Sequence, residues 1–426
     1  MSPGPGALPR LAAGLDFGTS GARVCVVDRR EHCVFEAAVA YARPREQGCT
    51  EWRRALLELL ASIPAPLRRE LRRLSLCATS GSVVWADSRL RPRGPVLMYF
   101  ERRDDALAAA APSAGPSDAL ARLTWLWREL GPDALRDAYP MHQADWLVAS
   151  LLGDIGRRGV TTDWHNALKT GGDPLRADWG ALARAQEFAG RLPRIVAPGT
   201  RLGRIDPALA RRLELPAGLQ LLAGTTDSNA AFLAGGARAA GQALSTLGST
   251  LTLKLLSPRR IDSARHGVYS HRFGSLWLVS GASNCGGAVL RRLFDDARLR
   301  ELSARIDAGQ DSPLDLYPLA APGERFPDAD PSRQPRLQPR PADDVQYLHG
   351  LLQALARIEA AGYRRLAELG APAPSEVLSS GGGAANPAWT LLRQRALGLP
   401  VRRARHPQAA FGAARLALLG RLAFPS

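Results

Sequence analysis

Lysine is almost absent from this chain of 426 residues: among 56 basic side chains only Lys169 and Lys254 are lysines, and the others are arginines. The arginines are spread from end to end and interleaved with 40 acids, so the formal net charge of +16 forms no clustered stripe of the kind that grips nucleic acid. No nucleic-acid partner is expected from it, only a mild steering of anionic cosubstrates. Cysteine is scarce too. The five (Cys25, Cys33, Cys49, Cys77, Cys285) are odd in number, scattered, and never in a C-x-x-C pair. That excludes a disulfide framework and predicts reduced thiols in a cytoplasmic protein, with no zinc site. The seven histidines form no H-x-x-x-H or other metal spacing. No uninterrupted apolar run approaches the roughly eighteen residues of a membrane span, so no membrane partner is expected. Residues 1–8, rich in Pro and Gly, are expected to be a disordered tail, too short and too poor in apolar residues for a signal peptide. The absence of G-x-S-x-G and of G-x-x-x-x-G-K-[ST] excludes the α/β-hydrolase and P-loop kinase readings.

What the chain does have is a pair of look-alike turns about 230 residues apart, in the segments Gly14 to Asp28 and Ser245 to Leu256. In each, a short strand runs into a Gly-plus-hydroxyl turn, Gly18-Thr19-Ser20-Gly21 or Gly248-Ser249-Thr250, and an alternating apolar strand returns. Such a turn points backbone N–H groups and hydroxyls at one spot, which suits a phosphate. Two of them suggest related halves facing a shared polyphosphate, the arrangement an ATP-dependent phosphotransferase needs.

Alternation predicts a hairpin partner strand from His32 to Tyr41, and helical periodicity follows from Glu51 to Ile63. A short apolar strand, Leu74 to Thr79, leads into Ser80-Gly81-Ser82, and the run from Leu219 leads to Thr225-Thr226-Asp227, where a small-residue helix begins. A second set of strands (Ala243 to Leu256, His266 to Ser280) is followed by a Pro-rich excursion from Tyr317 to Pro341 and a long helix from Asp343 to Leu369. Glu376 to Leu378 reads as a strand before Ser379 to Gly383, Asn386 caps a helix with Pro387 at its first position, and a last helix spans Gln408 to Leu419. The order hairpin, helix, strand, loop occurs twice, the pattern of a duplicated α/β domain.

Each motif has a plain alternative. Asp16 before its turn is either a carboxylate bonding its own backbone or a holder of magnesium's hydration shell while the turn meets a terminal phosphate. The glycine run ending at Gly383 is either a turn or a place for close backbone approach by adenosine. Asp227 is either a helix cap or a general base for a sugar hydroxyl. In a loose phosphoryl-transfer transition state the proton leaves late, so a base of modest strength suffices.

Taken in order, these pieces resemble the FGGY carbohydrate kinases of the actin/hexokinase/Hsp70 superfamily, from Leu11 to Leu419. The nearer likeness is to the short D-ribulose kinases, carried by Asp16 to Arg23, His142 to Leu147, Asn166 to Lys169, Gly224 to Ser228, Leu247 to Leu251, Gly267 to Arg272, Gly281 to Asn284, Gly323 to Pro327 and Arg393-Gln394-Arg395. The resemblance implies an α/β fold of duplicated ribonuclease-H-like domains with a cleft between them. The sugar-binding domain would span 9–234 and the nucleotide-binding domain 235–426, with the final helix (408–426) free to pack back on the first. It implies Asp227 as catalytic base, with Asp16, Thr19, Ser20, Gly21, Ala22 and Ser80 lining the sugar and γ-phosphate region. It further implies Gly248, Ser249 and Thr250 at the phosphates of ATP, Gly381, Gly382, Gly383 and Asn386 at its adenosine, and Mg2+ held by Asp16 and Asp227 through water. The expected reaction is phosphorylation of the 5-hydroxyl of D-ribulose, with D-xylulose or another pentulose or polyol as the alternative substrate. A non-catalytic ATPase-fold module is the reading from another class. Asp227 beside complete nucleotide loops, with no residues left over for a peptide-binding domain, argues against it. Two departures stand out: Met98-Tyr99-Phe100-Glu101-Arg102 replaces a Trp-x-Asp-x-Arg-like sugar motif of larger members, and Arg122 replaces a lysine. With a chain shorter than most members of that family, both point to a smaller, more open site for a free five-carbon ketose.

Overall fold

The computed structural model describes residues 8–101, 119–153, 155 and 159–422, so most of the expected tail lies outside the described residues. The chain forms two compact units. The first runs to Ala234 and takes the chain back at Gln408; the second holds Gly235–Pro407. The last helix therefore belongs to the first unit.

Seven strands build the sheet of the first unit: β1 (Leu11–Phe17), β2 (Gly21–Asp28), β3 (Cys33–Ala40), β4 (Leu71–Ala78), β5 (Arg201–Arg204), β6 (Gln220–Leu222) and β7 (Thr225–Thr226). Their order is β5-β6-β4-β1-β2-β3, with β7 pairing β4. The first three strands are an antiparallel meander, while β4 runs parallel to β1, β6 and β7. On one face lie α1 (Cys49–Ser62) and α2 (Gln143–Leu152), whose Trp52 and Trp146 meet edge-on at 6.0 Å in the main core. Burying aromatic and aliphatic side chains of this kind stabilises by roughly 1.5–3 kcal/mol each.

The other face is built from small residues. α4 (Asp227–Gly235) and α8 (Ala409–Leu419) pack there, and Ala12, Cys25, Val27, Ala234, Ala410, Ala414 and Ala417 form a cluster with Phe411 and Leu418. α3 (Trp164–Leu168) is a short turn of helix that docks on β7, where His165 Nδ1 lies 2.6 Å from Thr225 Oγ1.

The second unit has a six-stranded sheet of β8 (Gln242–Leu247), β9 (Leu251–Ser257), β10 (Tyr269–Phe273), β11 (Leu276–Ser283), β12 (Glu376–Ser380) and β13 (Val401–Arg403). The order is β10-β11-β9-β8-β12-β13. Again an antiparallel set (β11, β9, β8) is followed by parallel strands (β12, β13), so five of the six strands repeat the pattern of the first unit. A run of successive hairpins would pair β9 with β10. Instead β10 lies at the edge and the chain reverses into β11, which pairs β9. The unit also holds α5 (Gly287–Leu293), α6 (Asp344–Glu368) and α7 (Pro387–Leu397), among other helices. The Pro-rich excursion is non-helical and buries Phe326 to 1% exposure.

Beneath this sheet sits a buried ion pair. Arg393 donates through Nε and Nη2 to both oxygens of Glu359 (2.5 and 2.8 Å) and through Nη1 to Ser379 Oγ at 2.7 Å. Ser245 donates to the same carboxylate and lies 2.9 Å from the Tyr363 hydroxyl. One network thus ties β8, β12, α6 and α7. Arg393→Leu should lower unfolding stability by about 3–5 kcal/mol, because Glu359 stays buried without its partner. Adding Glu359→Leu should recover much of that loss in denaturant titrations; a double variant no more stable than the single one would contradict this account.

Candidate functional site

In the first unit the chemistry gathers where parallel strands end, the usual ligand edge of an open α/β sheet. β1 carries Asp16 opposite Cys77 of β4, and β7 sets Thr225 and Thr226 opposite Cys77 and Ala78, so that Asp227 follows as the first residue of α4. Asp16 is only 5% exposed. Its Oδ2 lies 3.4 Å from Arg23 Nη1, and its Oδ1 accepts from the Cys77 thiol at 3.5 Å. Burial raises the Asp16 pKa, and the Arg23 cation pulls the other way. The Cys77 thiol is pushed far up by burial and then by the charges of Asp16 and Asp227, so both carboxylates act on one sulfur. Asp227 Oδ1 accepts from the Ser228 amide at 2.6 Å.

The loop after β4 is tightly held. The Thr79 amide donates to Phe17 O and Gln143 Oε1, and Thr79 Oγ1 lies 2.6 Å from both Gln143 Oε1 and Ser82 Oγ. Arg122, fully buried, donates to the carbonyls of Gly81 (2.9 Å) and Glu101 (3.2 Å). Four buried polar atoms on these elements have no partner: Ser80 Oγ, Gln143 Nε2, Asn166 Oδ1 and Thr226 Oγ1. Each such atom costs roughly 1–3 kcal/mol when left unmet. A polyhydroxyl ligand would supply what they lack.

The β1–β2 turn is fixed by Gly18 N to Gly21 O (3.0 Å), by Gln47 Nε2 to Thr19 O (2.6 Å) and by Tyr41 N to Ser20 O (3.1 Å). Thr19 Oγ1 lies 3.1 Å from the Tyr99 hydroxyl. Gly21 and Ala22 are packing positions: a Cβ on Gly21 would fall 2.4 Å from Val39 O, and Ala22 is buried in the core.

In the second unit two loops meet in the same way. β8 and β12 are parallel, and their ends release Gly248-Ser249-Thr250 and Gly381-Gly382-Gly383 side by side. α5 begins against the first loop, with Gly287 N donating to Gly248 O (2.8 Å) and Ala288 N to Ser249 O (3.1 Å). The loop carbonyls are thereby occupied, and among the described residues the amides of Ser249 and Thr250 have no backbone acceptor. Arg291 donates to Ser249 Oγ at 2.8 Å, a cation at the turn. The three glycines differ. A Cβ on Gly381 (φ +83°) would strike Leu247 O at 2.7 Å and one on Gly383 the Trp389 ring at 2.2 Å, whereas Gly382 faces open space. Asn386 caps α7 by accepting from Trp389 N and donates to Ser303 Oγ, so both ends of its amide are engaged.

Of the residues singled out in the sequence, Asp16, Ser80 and Asp227 converge in the first unit, and Gly248 to Thr250 converge with Gly381 to Gly383 in the second. Gln143, Thr226, Asn166 and Arg291 were not assigned roles. Three of them lie in the quoted motifs, but the feature that marks them, a buried polar atom without a partner, exists only in the folded chain. Among the described residues no helix is long and apolar enough to cross a membrane.

Residues 243–420 match the FGGY family of carbohydrate kinases, C-terminal domain, and the chain carries that domain. An autoinducer-2 kinase of Klebsiella pneumoniae is 26% identical over 309 residues, covering 67% of this chain and 57% of that protein. The chain thus matches little more than half the length of this curated relative. Two solved structures have the same duplicated actin/hexokinase-like fold. A xylulose kinase from Bifidobacterium adolescentis superposes with a TM-score of 0.80 at 20% identity, covering 99% of this chain and 95% of that one. The Plasmodium falciparum glycerol kinase with ADP gives 0.80 at 15% identity, covering 96% and 89%.

If the open side of Gly382 receives adenosine, Gly382→Val should raise the Michaelis constant for ATP and leave sugar binding alone; an unchanged ATP constant in a folded variant would place the nucleotide elsewhere. A second expectation concerns Asp163, which caps α3 through the amides of His165 (2.9 Å) and Asn166 (3.1 Å). Burial pushes its carboxyl up to about 6. Because the folded chain keeps this proton to higher pH than the unfolded chain does, stability is lost as pH rises from about 4 to 6 and no further above that. Asp163→Asn removes this loss, so its stability relative to the parent should rise by about 1–3 kcal/mol between pH 4 and 7 in urea titrations. A difference independent of pH would contradict the raised pKa.

Proposed function

We propose that the protein is an ATP-dependent carbohydrate kinase that phosphorylates the 5-hydroxyl of D-ribulose, giving D-ribulose 5-phosphate and ADP. The observation that carries this reading is the strand register that sets Asp16 opposite Cys77 and starts the Asp227 helix directly after the strand paired with Cys77 and Ala78, with four unmet polar atoms on these and neighbouring elements. Asp227 begins a helix, whose N-terminal field favours negative charge. It orients the attacking hydroxyl and accepts its proton late in transfer. Ser80 Oγ, Thr226 Oγ1, Gln143 Nε2 and Asn166 Oδ1 offer donors and acceptors to the remaining hydroxyls of the sugar. In the second unit, the Ser249 and Thr250 amides, the Ser249 hydroxyl and Arg291 suit phosphate oxygens, while Gly382 admits the nucleoside.

Two carboxylates are hard oxygen donors of the type Mg2+ takes through water, and a cation would offset the unfavourable burial of the Asp16 charge. Asp16 and Asp227 would hold it, and when bound it supplies positive charge against the transferring phosphoryl group.

D-xylulose is the second candidate, and the autoinducer-2 kinase likeness adds that ligand to the compounds worth testing. A coupled ADP-release assay across pentuloses, pentoses, polyols and autoinducer-2 should give the highest kcat/KM with D-ribulose. A higher value for another sugar reassigns the substrate, and no sugar-dependent ADP release rejects the kinase reading. Asp227→Asn should lower turnover by at least about 10²-fold with ATP affinity nearly unchanged. Near-normal turnover would reduce Asp227 to the start of a helix.

A further inference from the structure

The proposed reaction leaves one cluster of reactive groups unused. On β2, Ala22, Val24 and Val26 face the main core, while Cys25 and Val27 face the small-residue cluster with α8. Regular alternation on β3 would send Cys33 and Glu36, three positions apart, to opposite faces. A bulge prevents this. Val26 pairs with Phe35 and Val27 with Cys33, so Val34 is an extra residue that resets the alternation. Phe35, Ala37 and Val39 then pack on the core, and Cys33 and Glu36 both turn toward Cys25.

The two sulfurs and a Glu36 carboxylate oxygen lie within 4.8 Å of one another. The sulfurs are 3.5 Å apart. A disulfide would hold them at about 2.05 Å. Two thiolates on one tetrahedral ion with bonds of about 2.3 Å stand about 3.8 Å apart. The observed spacing is close to the second geometry. Cys33 and Glu36 are exposed, which gives an ion a way in. Beside Glu36 a cavity of about 180 Å³, lined by Arg23, Val24, Ala37, Ala38, Gln408 and Ala410, has room for water.

We propose that Cys25, Cys33 and Glu36 form a binding site for a zinc-class divalent cation, with water as fourth ligand. Sulfur ligands favour such an ion over Mg2+, so this site and the carboxylates of the sugar site select different metals. Coordination would displace the protons of both thiols. The bound ion would tie β3 to β2, the strand whose Arg23 faces Asp16. Its role is to fix that hairpin.

The test uses the reduced full-length chain and Cd2+ as probe. A thiolate-to-metal absorption band should grow in the ultraviolet to one equivalent per chain and be displaced by Zn2+. Cys33→Ser, at an exposed position, should fold as judged by circular dichroism yet lose the band. Glu36→Gln should weaken Cd2+ binding by at least about tenfold. Zn2+ should raise the melting temperature of the parent chain and leave that of Cys33→Ser unchanged. A parent chain without the band, or a Cys33→Ser chain with an undiminished one, overturns the proposal.

Discussion

The site of the first unit depends on backbone packed directly on backbone. A Cβ on Gly412 of α8 would fall 1.8 Å from Ala230 O of α4, and one on Gly14 of β1 would fall 2.0 Å from Ala414 N of α8. A Cβ on Gly224 would fall 1.6 Å from Leu76 O of β4. At these three crossings no side chain intervenes, so spacing is set by peptide units that cannot change rotamer. Asp16 follows Gly14 by two positions and Asp227 opens the helix that contains Ala230, and both carboxylates inherit that rigidity. Arg415 adds a polar tie, donating to Leu233 O and pairing with Glu31 at 3.2 Å. Fixing groups on elements held this way limits the reorganisation that catalysis would otherwise require.

The same strand arrangement presents two different sets of side chains. In each unit a Gly-plus-hydroxyl hairpin turn lies next to the loop that ends a parallel strand: Gly18 to Ser20 with Thr79 to Ser82, and Gly248 to Thr250 with Gly381 to Gly383. The first pair is surrounded by carboxylates, hydroxyls and amides whose bonding is incomplete. The second offers backbone amides, an arginine and a glycine open to solvent. The two units share the geometry, and the residues at the loop tips differ.

The strands and their turns were legible because alternation and Gly-rich turns are local signals. Asp16 and Asp227 were legible as residue types, but their meeting rests on β7 pairing with β4, a contact between segments far apart in sequence. In the sequence Gly381, Gly382 and Gly383 form one run, from which the family resemblance singles out Gly382 for adenosine. Only the Leu247 carbonyl and the Trp389 ring separate two packing glycines from one that faces open space. Asn386 was expected at the adenosine, and the fold shows its amide engaged at both ends in a helix cap and a tether to Ser303. The cysteine spacing argued against a zinc site because it holds no C-x-x-C pair; the proposed Cys25, Cys33 and Glu36 cluster depends on a bulge at Val34 that spacing does not reveal.

The most direct measurement is a crystal structure of the chain with D-ribulose. The account predicts the terminal hydroxyl within hydrogen-bonding distance of the Asp227 carboxylate, with other hydroxyls meeting Ser80 Oγ and Thr226 Oγ1. A sugar bound away from Asp16 and Asp227, or one that leaves those buried atoms unmet, would contradict it.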